Sequence, residues 1–123
     1  MANEGNPVDV TLVAGESFET KQFYLAKGSG TGVVLATAAA DLTIGSIQNH
    51  PASGHGAQIR VGGRGKTICG ASFSAWAYLT SDSAGKAVEA TAGQRYCGIA
   101  LEAGAANRII SMFHERGYVP VGT

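Results

Sequence analysis

Apolar and polar positions alternate in short runs along this chain, and glycine-rich punctuation separates the runs. Val8, Val10 and Leu12 alternate with Asp9 and Thr11, the pattern of a half-buried strand. Phe18 and Phe23-Tyr24-Leu25 mark a second strand region, and Val33-Val34-Leu35 follows the turn Gly28-Ser29-Gly30-Thr31-Gly32. The alanine-rich stretch from Ala36 to Ala40 reads as a short helical turn at most. Leu42 to Gln48 predicts a strand with Leu42, Ile44 and Ser46 on one face. The segment from Asn49 to Gly56 is the longest loop, because Pro51 and two glycines block regular structure. Ile59 and Val61 alternate with Gln58 and Arg60. Gly62-Gly63-Arg64-Gly65 then predicts a tight hairpin turn into Lys66-Thr67-Ile68-Cys69.

Further on, Phe73 to Leu79 predicts a core strand carrying Trp76 and Tyr78, since aromatics on strands are usually core. Ser81 to Gly85 is a turn, and Tyr96 to Leu101 and Asn107 to Phe113 are strands. Strand signals recur roughly every 8–12 residues, the spacing of a sandwich or small barrel. The predicted fold is a mainly β, compact single domain, a β-sandwich or small β-barrel with short helical turns at most. It divides into an arm (residues 1–7), a β-rich domain (8–113) and a polar tail (114–123) that begins at His114-Glu115-Arg116-Gly117.

Composition narrows the function classes. A chain of 123 residues forms one domain and buries roughly 65% of its unfolded surface, enough for a core without metal or disulfide staples. Nine basic and nine acidic residues give zero formal net charge, which argues against nucleic acid as a partner. Charged residues are 15% of the chain, against about 25% in ordinary domains. So small and weakly charged a protein tends to self-associate or to live with part of its surface covered. No apolar run approaches the ~20 residues that span a membrane. The N-terminus carries no basic and apolar leader, so the expectation is synthesis in a reducing cytoplasm with Cys69 and Cys97 as free thiols.

The candidate chemistry is sparse. Gly28 to Gly32 lacks the helix and Lys-Ser/Thr pair of a phosphate loop, and Val33 and Val34 follow it, so a hairpin turn is the reading. No Gly-x-Ser-x-Gly elbow exists. Cys69 and Cys97 sit in apolar strand contexts, where cysteine behaves as a small hydrophobe. His50 and His55 share a loop, but a dependable zinc site needs three or four ligands. No enzyme, cofactor or metal is expected. Arg60, Arg64 and Lys66 fall on one side of the predicted hairpin, either as an interface for acidic partner surface or as a solvated face. The arm, with Asn3, Glu4, Gly5, Asn6, Pro7 and Val8, can extend as a strand and add to the sheet edge of a partner. A frayed terminus is the alternative.

The order of several phrases resembles the head decoration, or capsid cement, proteins of tailed bacteriophages. The phrases are Ile44-Gly45-x-x-Gln48-Asn49, the Gly54/Gly56 turn before Ile59-x-Val61, Thr80-x-Asp82-x-x-Gly85-Lys86, and Cys97-Gly98-Ile99-Ala100-Leu101-Glu102-Ala103. The resemblance covers roughly Val8 to Met112. The chain departs from the pattern at Ala103 to Asn107, which lacks the usual Gly-Asp, and in the extra tail from His114 to Thr123. The resemblance implies a compact β-tulip-like domain without enzymatic activity. It would be made in the host cytoplasm and bind the outer surface of the expanded icosahedral head. The implied partners are the major capsid protein and two further copies of this chain, in a homotrimer at local threefold positions that holds the shell against internal DNA pressure. Another virion component, in tail or fibre, and a small carbohydrate-binding β-sandwich using Trp76, Tyr78 or Tyr96 are the alternatives.

Overall fold

The computed structural model describes residues 7–30 and 32–121. Among the described residues nine strands form in chain order: β1 (Val8–Ala14), β2 (Leu25–Ser29), β3 (Gly32–Leu35), β4 (Thr43–Ile47), β5 (Gly56–Ile68), β6 (Tyr78–Ser81), β7 (Ala87–Glu89), β8 (Arg95–Ala100) and β9 (Ile109–Tyr118). No helix forms among the described residues, and in the alanine-rich stretch Ala38 to Ala40 make a bend and turn. The strands run β1-β3-β2-β4-β5-β9-β8-β6-β7, and β1 also pairs with β5. That extra pairing closes the first five strands into a barrel. The other four form a sheet continuous with it through β5.

The long β5 is the hinge of this design. Its first half pairs with β1 from Val13↔Gly56 to Val8↔Gly62 and meets β4 at Ile59 and Arg60. Its second half pairs with β9, from Gly63↔His114 to Ile68↔Ile109. The partner therefore changes between Gly62 and Gly63, and Gly63 takes φ +73° there. The hairpin predicted at Gly62–Gly65 does not form. The left-handed freedom of glycine that suggested a turn serves instead to bend one strand from barrel to sheet.

Two cores follow from the alternation of strand faces. The barrel encloses Ala14, Phe18, Ala26, Val33, Ile47, Ala57 and Ile59. The second core holds Leu25, Cys69, Phe73, Leu79, Cys97, Ile110 and Met112. Adjacent Leu25 and Ala26 on β2 supply one side chain to each, so β2 ties the two cores together.

Four strands are entered through the same turn. The amides of Tyr24, Ala77, Gln94 and Arg108 donate to the carbonyls of Lys21, Ser74, Thr91 and Ala105, three residues back. The residue before each amide has positive φ: Phe23 (71°), Trp76 (72°), Gly93 (83°) and Asn107 (65°). Each of these residues in turn donates its own amide to a distant carbonyl, of Ile47, Ala100, Val119 and Cys69 respectively. Two of the turns face one another. Trp76 bonds Ala100, Asn107 bonds Cys69, and Phe73 and Gly104 bridge between them. Gly104 is required there, because a Cβ would lie 2.6 Å from Cε1 of Phe73.

These turns correct two readings. Phe23 stands in a turn rather than a strand. Strand β6 starts only at Tyr78, and Trp76 is 70% exposed rather than in the core. Because glycine occupies the equivalent position at Gly93, Trp76→Gly is expected to leave thermal stability unchanged or to raise it by about 1 kcal/mol, through relief of the positive φ. A loss of similar size in a thermal melt would mean that the indole packs. The strand predicted to end at Phe113 continues through the expected tail to Tyr118, where it pairs with Arg95.

Candidate functional site: the basic face of the long strand

Arg60, Arg64 and Lys66 all line one shallow depression of about 430 Å³, together with Phe23, Gln48 and Ser111. Their even spacing on β5 puts them on a common face despite the bend at Gly63. The three are not equivalent. Arg60 Nε donates to Asp9 Oδ1 at 2.5 Å, Nη2 donates to Asp9 Oδ2 at 3.2 Å, and Nη1 donates to the Arg64 carbonyl at 2.9 Å. The Arg60 hydrogen bond holds the Asp9 carboxyl below the usual carboxylate range, and Gln58 adds to it against the opposing effect of burial. Arg60 thus clasps β1 to β5 and has its charge offset. Arg64 and Lys66 are exposed, and neither is in an ion pair among the described residues. They supply the face with two cations available to an acidic partner.

Of the residues singled out in the arm, Asn3, Glu4, Gly5 and Asn6 lie outside the described residues. Pro7 is exposed, and Val8 begins β1, paired with Gly62. Val8 to Leu12 therefore serve the protein's own barrel through β5. Strand β3 reaches β1 only at Val13 and Ala14, so the other edge of Val8 to Leu12 carries no strand among the described residues. Val8, Val10 and Val13 on this strand are 54%, 38% and 51% exposed.

Beneath the basic face lies a polar joint that the sequence reading missed. His114 on β9 is buried. Its Nε2 lies 2.7 Å from Ser46 Oγ on β4, and its Nδ1 lies 3.1 Å from the Gly63 carbonyl. Gln48 donates to Ser46 Oγ at 2.8 Å. These contacts assign the proton to Nδ1, which donates to Gly63. The Ser46 hydroxyl then donates to Nε2 while accepting from Gln48. The chain of bonds crosses from barrel to sheet at the bend of β5. Burial pushes the imidazole down to about 4, outweighing the Gly63 hydrogen bond that favours its charged form. The hydroxyl of Ser46 is fully buried, and Nδ1 faces a backbone carbonyl where a nucleophilic triad would place a carboxylate. The arrangement holds two sheets together. The alternation of Ile110, Met112 and His114 on one face was the available signal.

The remaining singled-out residues are dispersed. His50 and His55 are exposed on the loop between β4 and β5. Cys69 and Cys97 are buried free thiols, and burial raises both, Cys97 to about 12. Tyr78 and Tyr96 pack on one another with ring centroids 4.5 Å apart.

This closed five-stranded barrel, with a four-stranded sheet continued from its longest strand, defines the fold class. The same architecture is found in the N base of head fiber gp8.5 of bacteriophage phi29. The two superpose with a TM-score of 0.67 at 15% sequence identity, over 92% of this chain and 98% of that one. No protein-family model matches the chain, and no curated protein matches it by sequence.

Proposed function

We propose that this chain is a structural component of a tailed-phage virion that binds the outside of the expanded head and reinforces it. The observation that carries the reading is the likeness in fold to a phage head fiber base over nearly the whole of both chains. It converges with the independent resemblance of the sequence phrases to head decoration proteins. Low charge and three exposed valines on β1 favour a homotrimer that covers part of each subunit. The major capsid protein is the proposed partner, approached through the N-terminal arm and the cations of β5. A fibre base seated on the head is the second reading, favoured by the identity of the structural neighbour.

Co-sedimentation with expanded, undecorated heads tests the proposal, with unexpanded procapsids and isolated tails as controls. Saturable binding to expanded heads alone is expected. Binding only to tails, or to none of these particles, would discard the head-decoration reading. Deleting residues 1–7 should abolish head binding while leaving the β domain folded by circular dichroism. Full occupancy by the truncated protein would rule out the arm.

A further inference from the structure

A second cleft opens where β4, β8 and β9 converge. Its walls include Asp41, Leu42, Thr43, Arg95, Arg116 and Tyr118, and its volume is about 180 Å³. We infer that this cleft is a binding site for a single carboxylate group. Four observations lead there.

Both arginines are held in place by contacts that, among the described residues, include no ion pair. Arg116 Nη1 donates to the carbonyls of Ile44 at 3.0 Å and Val61 at 3.3 Å. The guanidinium of Arg95 stacks over the Tyr118 ring, 5.0 Å from its centroid. The ion pairs among the described residues join Lys27 to Asp41, Arg60 to Asp9 and Arg108 to Glu102, and include neither Arg95 nor Arg116. Two prearranged guanidinium groups with donors not used among the described residues match the usual receptor for a planar carboxylate.

Thr43 lines the same cleft at 5% exposure, and its buried Oγ1 has no hydrogen-bond partner among the described residues. A buried hydroxyl left unpaired is costly, and a ligand oxygen that reached it through a small shift of the cleft wall would relieve that cost. Leu42 and Tyr118, 59% and 60% exposed, form an apolar lip for the carbon stem of a ligand. The volume falls below the roughly 300–1,000 Å³ of drug-sized pockets, so the cleft suits one side-chain-sized group. Asp41 is matched by Lys27 at 3.2 Å, yet its charge still favours a monoanion over a phosphate dianion.

The test is an amide NMR titration of the full chain with three probes: sodium acetate, a blocked Gly-Glu-Gly peptide and inorganic phosphate. A Gly-Gln-Gly peptide is the control. Saturable shifts confined to residues 41–43, 95–97 and 116–118 are expected, with affinity falling at least ten-fold in both Arg95→Gln and Arg116→Gln. Arg108→Gln, outside the cleft, should bind as the parent does. Because Arg116 also braces β4 and β5, Arg95→Gln keeps the test decisive if Arg116→Gln unfolds. Equal shifts with the glutamine peptide, unchanged binding in Arg95→Gln, or tighter binding of phosphate than of either carboxylate would overturn the inference. Tighter binding of the glutamate peptide than of acetate assigns the carboxylate to a protein chain, and equal binding assigns it to a free small molecule. The outcome is independent of head binding.

Discussion

Acidification is expected to remove about 3 kcal/mol of stability between pH 6.5 and about 4, most of it through His114. The imidazole falls from 6.5 to about 4 on folding. In that window the unfolded chain takes up a proton that the folded protein refuses, so stability declines as pH falls. The contribution is fully present above 6.5 and fully lost below about 4. The Asp9 and Asp41 carboxyls, held below 3.8 in the folded protein, lose their stabilisation only at lower pH. The two effects therefore separate along the pH axis. Urea unfolding at a series of pH values measures the slope. His114→Gln should lower stability at neutral pH, because the bonds from Ser46 to Gly63 are disturbed, and should flatten the slope between 4 and 6.5. A parent protein with no slope in this window would show that the ring is solvated.

Gly45→Ala is expected to cost about 3 kcal/mol, at the upper end of overpacking penalties. A Cβ at position 45 would lie 2.8 Å from the Arg60 carbonyl carbon and 3.2 Å from Cγ2 of Ile59. The neighbour is largely backbone, so no side-chain rotation can relieve the clash, and β4 must move away from β5. That seam carries the pairs Ser46↔Arg60 and Ile47↔Ile59 and closes one side of the barrel. Thermal melts of Gly45→Ala beside Gly28→Ala, where an added Cβ meets nothing within 4 Å, measure the difference. Similar melting temperatures for the two would mean that the β4–β5 approach is looser than described.

The strand pattern was largely legible in the chain. The strands read at Val8 to Leu12 and at Tyr96 to Leu101, and the turn at Ser81 to Gly85, correspond to β1, β8 and the β6–β7 hairpin, although Val8 and Val10 are exposed where a half-buried strand was expected. These signals are local. Strand composition and turn chemistry operate over a few residues, and a short window contains them. The turn is a clear case, since Asp82 Oδ1 accepts from the amides of Ala84 and Lys86 at 2.8 and 2.9 Å and Gly85 takes φ +79°. The common face of Arg60, Arg64 and Lys66 was legible for the same reason, although the turn invoked for it was not.

What misled was residue type read without partners. Gly62-Gly63 has the composition of a hairpin, and whether a glycine at positive φ reverses a strand or bends it depends on what lies alongside. Here β9 takes over from β1. Trp76 has the hydrophobicity of a core residue, but a turn bonded to Ala100 holds it outward. His114 has the polarity of a tail residue, but Ser46, 68 positions earlier, gives it a partner inside.

The sequence by itself determined that this is one domain of short strands joined by glycine-rich turns, with little charge and thiols placed among apolar residues. Those properties reside in composition and in spacings of a few residues. Only the tertiary structure decided that the strands close into a barrel and continue into a sheet. It alone paired Asp9 with Arg60, buried His114 at the joint, exposed Trp76, and brought Arg95 and Arg116 to one cleft with Thr43. Each of these depends on residues tens of positions apart coming within a few ångströms, and strand register, which no local pattern encodes, sets those distances.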